Sequence, residues 1–167
     1  MYKKLLKIFI ILLFFSICIF LLGYSTNLEF SNTPNIKPNF KEIFINNIVV
    51  NFRVILLSIL TGGIYSIVFL SGELFFLGAI IKYLTVKHSF LYAISFIGFH
   101  GIFEIPSIVL SATIGIYFFT NLIHLLKKRG TNFKLGIISS ALLIILIVIS
   151  AVVETFITPW FLRNYIL

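Results

Sequence analysis

Four ionisable residues lie inside the long apolar stretches of this sequence: Glu73, His100, Glu104 and Glu154. In a lipid bilayer, an ionised acid at the centre of a helix costs about 2.5–3.5 kcal/mol even on lenient insertion scales, so such residues usually face the interior of a helix bundle. We therefore expect these side chains, together with Gly101 next to His100, to form one polar site inside the apolar part of the protein.

His100 and Glu104 are separated by four residues, the spacing that places two side chains on the same face of a helix and that occurs in metal sites. Two ligands are too few for a metal, and Glu154 is the candidate third. The sequence contains no His-Glu-x-x-His motif, no Ser/His/Asp ordering and no glycine-rich phosphate loop. We predict no catalytic residue, no metal and no cofactor. In the simpler alternative, the histidine and the glutamate hydrogen-bond each other and fix the local backbone.

The composition identifies the environment in which these residues act. Hydrophobic residues make up 60% of the 167 residues and charged residues 11%, and the mean hydropathy is +1.14. These values are typical of an integral membrane protein, whose first partner is the lipid bilayer. The 13 Lys and Arg residues lie between apolar stretches rather than on one face, so they indicate membrane topology and not nucleic-acid binding.

The amino-terminal half divides into three segments within a single membrane domain, 1–167. A basic start followed by an apolar stretch predicts a signal-anchor helix over residues 1–23, although a weak cleavage motif at 23–25 leaves removal of this helix open. Residues 24–42 are polar, contain two prolines and read as an external loop. Residues 43–52 mix asparagines with apolar residues, which predicts an interfacial helix before a second span that begins at Arg53.

Two later segments are too long for one straight crossing. Residues 54–81 would reach about 42 Å as a helix, so this segment must tilt, kink or break at its glycines, and residues 89–123 would reach about 52 Å. Lys82 and Lys87 before the second segment and the basic residues 127–134 after it predict that both its ends face the cytoplasm. We therefore expect a hairpin or broken segment around residues 100–106, where Gly101 and Pro106 favour a turn.

These segments predict an all-α membrane protein with about five transmembrane helices. With the amino terminus inside, five crossings place the carboxyl terminus outside. After the predicted turn, Ser107, Ser111 and Gly115 recur at four-residue spacing, which predicts a small-residue stripe for close helix packing.

Three stretches resemble the stage II sporulation protein M family: "IFINNIVVNFRVILL", "HGIFEIPSIVLSATIGI" and "SAVVETFITP". The resemblance covers residues 43–160 as a helical bundle. Its motif positions fall on six residues of this chain: His100, Gly101, Glu104, Glu154, Thr158 and Pro159. The chain departs from the family pattern at Phe99, where Pro is common, and at Ser71–Gly72, where Asn-Gly is common.

The resemblance implies a multipass protein of the bacterial cytoplasmic membrane that is not an enzyme. In spore formers the family scaffold works with cell-wall-acting proteins that remodel septal peptidoglycan during engulfment. An alternative is a component of circular bacteriocin export, maturation or immunity that works with an ABC transporter, and an intramembrane metal hydrolase is the least favoured reading. The partner, any cargo and the oligomeric state stay open.

Overall fold

The computed structural model describes residues 2–28, 30, 39–95 and 99–165. Within these ranges the regular structure is helical and no strand occurs. The helical elements follow in chain order: α1 (Tyr2–Tyr24), α2 (Phe40–Leu60), α3 (Ile64–Lys87), α4 (Phe90–Ala93), α5 (Phe99–Leu126), α6 (Lys134–Val152), a π-helical segment (Val153–Ile157), called the π segment below, and α7 (Thr158–Tyr165). Residues 94–95, directly after α4, are also in π conformation.

Five stretches in the described part of the chain are long and apolar enough to cross a membrane. They are Lys3–Tyr24, Phe40–Leu60, Ile64–Lys87, Gly101–Leu126 and Lys134–Phe161, the last combining α6, the π segment and the start of α7. This confirms the all-α membrane fold with about five transmembrane helices. The boundaries of the inner spans, however, differ from those predicted.

The predicted break between residues 54 and 81 is confirmed at Gly62 and Gly63. Both adopt positive φ angles, 64° and 96°, a left-handed conformation that side-chain-bearing L-residues rarely adopt. Thr61 closes the turn, because its hydroxyl donates to the Leu57 carbonyl at 2.7 Å and accepts from the Tyr65 amide at 3.0 Å. The segment therefore forms a tight hairpin between two spans.

The interfacial helix predicted over residues 43–52 is wrong. These residues belong to α2, which begins after an Asn39 cap and continues without a break to Leu60. Asn47 and Asn51 are buried, and the Asn51 side-chain amide donates to the Asn47 carbonyl at 2.7 Å. The asparagines are accommodated inside the bundle rather than at the lipid surface, and Arg53 lies within the span instead of at its start.

The hairpin predicted around residues 100–106 is also wrong. Helix α5 runs unbroken from Phe99 to Leu126 with Pro106 inside it. The chain already reverses between α2 and α3 at Gly62–Gly63. Five spans therefore result without a second reversal around residues 100–106. Ahead of α5, the short helix α4 begins at Ser89, whose hydroxyl caps the Tyr92 amide at 3.1 Å.

Helix α5 is the centre of the bundle and contacts α1, α2, α3 and α6. Every residue from 107 to 115 is buried. Helix α1 packs mainly on α3, and the crossing is so close that a Cβ at Gly23 or at Gly78 would collide with the backbone of the other helix. The predicted signal anchor is thus an integral part of the packing.

The bundle has two chemically different ends. Leu5, Tyr117 and Leu135 form one cluster, so the start of α1 lies beside the loop between α5 and α6. We call this the basic end, since it joins two sets of cations: Lys3, Lys4 and Lys7 with Lys127, Lys128, Arg129 and Lys134.

At the other end, Lys82 lies 5.5 Å from the ring centre of Tyr24, the last residue of α1. Lys82 and Lys87 are therefore across the bundle from the 127–134 loop. The prediction that these lysines and that loop share one side is wrong, because α3 and α5 each cross once. The inside location of the amino terminus stays a prediction.

Candidate polar site inside the bundle

The closest contact between α2 and α5 is built from small and polar residues. The Ser111 hydroxyl lies 2.5 Å from Asn51 Oδ1 and 3.0 Å from the Ser107 carbonyl, so it has two acceptors within reach. One turn further, a Cβ added at Gly115 would lie 2.9 Å from the Ile55 carbonyl oxygen. The stripe of Ser107, Ser111 and Gly115 thus faces α2, and the two helices run parallel.

The hydrogen-bonded pair Asn51 and Ser111 belongs to a row of polar residues on α2 and α5. This row continues toward the end of the bundle opposite the basic end. Asn47 precedes Asn51 by one turn, as Ser107 precedes Ser111, so in parallel helices Asn47 and Ser107 lie at the same level. Asn47 is 6% exposed, and its side-chain nitrogen has no hydrogen-bond partner among the described residues. The Ser107 hydroxyl donates to the Glu104 carbonyl at 2.8 Å. The row therefore leads to Glu104.

Glu104 is half-buried on α5. It lies within electrostatic range of Glu154 and, more weakly, of Glu73. The π segment that carries Glu154 contacts both α5 and α2, and Phe156 stacks with Phe40 at 6.3 Å between ring centres. Glu104 and Glu154 are therefore brought together at this end of the bundle.

The π segment gives Glu154 an unusual backbone. The Thr158 amide bonds the Val153 carbonyl, five residues back, and Pro159 then has no N–H to donate. A carbonyl in the preceding turn consequently loses its helical partner. Single π turns inside α-helices are frequent at functional sites.

Two polar residues flank Glu154 in this part of the chain: Ser150 lies in the preceding turn of α6, and Thr158 begins α7 directly after the π segment. Ser150 is 1% exposed and Thr158 is 6% exposed. Neither hydroxyl has a hydrogen-bond partner in the described part of the chain, and the same holds for the buried Thr155 hydroxyl. Buried polar groups are normally paired, so unpaired hydroxyls beside a glutamate indicate a place that can accept a polar ligand or partner group.

The other predicted site residues are placed differently. His100 lies in the first turn of α5, but its side chain is outside the described structure, so its pairing with Glu104 stays a prediction. Gly101 is buried, and a Cβ there would meet only the tip of Ile105 at 3.8 Å. Glu73 is exposed on α3, at the edge of the electrostatic range of Glu104.

Sequence reasoning missed Asn47, Asn51 and Ser150. The signal was present, because Asn47 and Asn51 share a helix face at four-residue spacing and Ser150 precedes Glu154 by the same interval. Assigning residues 43–52 to the membrane surface hid the first pair.

The chemistry available here is that of amides, hydroxyls and carboxylates in a medium of low dielectric constant. Among the described residues, no group of three or more His, Cys, Asp or Glu side chains could hold a metal ion. The arrangement is suited to binding a proton, a cation or a polar group of another molecule within the membrane.

Comparison with known proteins gives three findings. The family model of stage II sporulation protein M matches residues 5–159. A protein of Methanocaldococcus jannaschii, described as uncharacterized protein MJ0793, is 34% identical over 137 residues, which cover 75% of this chain and 74% of the relative. No solved structure matches.

Proposed function

Because the chain belongs to the stage II sporulation protein M family, we propose that it acts as a non-enzymatic multipass subunit of a membrane complex and holds partner proteins in place. In a spore former, those partners would be the cell-wall-acting proteins that remodel septal peptidoglycan during engulfment. One feature of α3 supports this role most directly.

Glu73 is exposed near the middle of α3, and the helix is one of the five candidate spans. Leaving an ionised acid against lipid at this depth costs about 2.5–3.5 kcal/mol. The adjacent Gly72 has nothing within 4 Å of the position that a Cβ would take, so another helix can approach closely there. A partner helix that carries a polar or basic side chain would cover both residues.

The test is affinity purification of the tagged protein in a mild detergent. We expect a stoichiometric membrane or wall-acting partner with the wild type and a several-fold lower recovery with Glu73→Leu or Gly72→Leu. The matched control is Ile144→Leu, which changes an exposed apolar side chain on α6, away from α3, and should not change recovery.

The level of the protein itself must be equal in all four strains, since loss of a partner has to be separated from loss of folding. Repeated failure to recover a partner from the wild type across growth stages would contradict the scaffold role. Undiminished recovery with both α3 variants would leave the scaffold in place but remove α3 as its docking surface.

A second candidate is a component of peptide export, maturation or immunity that works with an ABC transporter. The observation that favours it is the polar site, where Glu104, Glu154 and the unpaired hydroxyls lie beside an interrupted helix, as in transporters whose broken helices line the substrate path. Adjacent genes for an ATP-binding cassette protein and a small hydrophobic peptide would support this second candidate function. Under it, Glu104→Gln with Glu154→Gln should abolish export or immunity while partner recovery persists.

A further inference from the structure

Residues 25–28 and Phe30, which follow α1, lie against the end of α3 and line an open cavity there. Thr26 fixes the turn after α1, because its amide and its hydroxyl both donate to the Gly23 carbonyl, at 3.0 and 2.6 Å. The Phe30 ring then packs edge-on against Phe76 and Tyr83, with ring centres 5.4 and 5.3 Å away. The cavity is open to the outside and has a volume of about 710 Å³.

Two lysines of α3, Lys82 and Lys87, line this cavity, which we call the lysine pocket, together with the Asn27 side chain. Their described contacts are with aromatic groups rather than with carboxylates. Lys82 lies over the Tyr24 ring, and Lys87 donates to the Tyr83 hydroxyl at 2.9 Å. Tyrosine contacts orient an ammonium group without neutralising it, and among the described lining residues the two lysines are the charged ones.

The position and the lining of the lysine pocket restrict the kind of ligand that it can bind. It lies where α1 ends and where α3 reaches its last turns, the level at which lipid headgroups meet the protein. Leu28 and Val86 line the same cavity, and both are exposed apolar side chains. Cations beside an apolar wall match a molecule with an anionic group joined to hydrocarbon.

From this geometry we propose that the lysine pocket binds the phosphate group of an anionic phospholipid, with its acyl chains along Leu28 and Val86. Free phosphate shares the anionic chemistry but would leave this apolar wall unused. The proposal does not depend on the function proposed above. It concerns a surface on α1 and α3 away from the site formed by α2, α5 and the π segment.

Native mass spectrometry of protein released from lipid nanodiscs tests the assignment, with phosphatidylglycerol as the anionic probe and phosphatidylcholine as the neutral one. We expect the wild type to retain phosphatidylglycerol preferentially. Because each lysine at an anionic lipid surface contributes about fivefold to binding, Lys82→Gln with Lys87→Gln should weaken retention about 25-fold. The control pair Lys41→Gln with Lys134→Gln removes two exposed lysines at span ends outside the pocket, so it should weaken retention clearly less than the pocket pair.

Two further arms keep the result interpretable. Lys82→Arg with Lys87→Arg preserves the charge and should retain the lipid, and raising the salt concentration should weaken retention by the wild type itself, whether or not the glutamine pair folds. Equal retention of both lipids by the wild type, or full retention by a folded glutamine pair, would overturn the proposal. Displacement of the lipid by millimolar inorganic phosphate would overturn the lipid assignment in favour of free phosphate.

Discussion

Replacing Gly115 with alanine should destabilise the protein, although alanine is the better helix former. At an open helical position, Gly→Ala stabilises by roughly 0.5–1 kcal/mol. At Gly115 the added Cβ would lie 2.5 Å from the Ser58 Cβ and 2.9 Å from the Ile55 carbonyl oxygen. Forcing an extra carbon into such packed space costs about 1–3 kcal/mol. The net effect is a loss of up to about 2.5 kcal/mol.

The matched control is Gly72→Ala, since a Cβ at Gly72 has nothing within 4 Å. It should stabilise the purified protein by up to about 1 kcal/mol. Thermal unfolding in one detergent measures both variants, and about 2–4 °C of Tm corresponds to each kcal/mol for a chain of this size. Ser58→Gly removes the nearest colliding atom, so together with Gly115→Ala it should cost less than the two single changes added.

Thermal unfolding of Gly115→Ala could also refute this reasoning. If Gly115→Ala raises Tm as much as Gly72→Ala, then α2 and α5 are not in close contact at this level. The parallel alignment of Asn47 with Ser107 would then lose its basis.

Four further predictions follow from the described geometry. A double-mutant cycle of Asn51→Ala and Ser111→Ala should give a coupling of about 0.6–1.7 kcal/mol in thermal unfolding, and no coupling would contradict the hydrogen bond between these helices. His100→Ala and Glu104→Gln should each lower stability in detergent, with the double change costing less than the sum if the two side chains pair; normal abundance and full activity in both would remove the pair as either a structural or a functional unit. A reporter fused after Lys128 should report the cytoplasm and one at the carboxyl terminus the outside, whereas a cytoplasmic signal at the terminus would contradict five crossings. Metal analysis of the purified protein should find no stoichiometric transition metal, and finding one would revive the intramembrane hydrolase.

The predicted number of spans agrees with the structure because two errors cancel. Residues 54–81 were predicted as one crossing but contain the reversal between two, whereas residues 89–123 were predicted to cross twice and cross once. The boundaries of the spans did not follow from the sequence, because two local signals were ambiguous. Asn47 and Asn51 are polar enough to suggest a surface helix, yet a bundle interior that supplies acceptors buries them. Pro106 suggested a turn, but it lies inside α5, and helices in membranes tolerate proline because neighbouring groups and local adjustments satisfy the freed carbonyl.

The polar site was predictable as a set of residues and not as an arrangement. Glu104 and Glu154 were identified as ionisable groups in apolar stretches, and their proximity depends on the packing of α5 against the π segment. Nothing in the local pattern reveals which face a helix turns toward a neighbour that lies many residues away. Gly62 and Gly63 were the exception, since a left-handed turn depends on the glycines themselves.

The number of residues that separate two hydrogen-bonded partners along the chain has a consequence for biosynthesis. The Ser58 and Ser66 hydroxyls meet across the α2–α3 hairpin and are eight residues apart, so this contact can form as soon as the hairpin leaves the ribosome. The Asn51–Ser111 bond joins residues that are 60 apart, and it must wait for α5. Until then the newly inserted α1–α3 unit presents its asparagines to lipid. A nascent chain that stops before α5 therefore lacks the hydroxyl that pairs with Asn51 in the complete bundle.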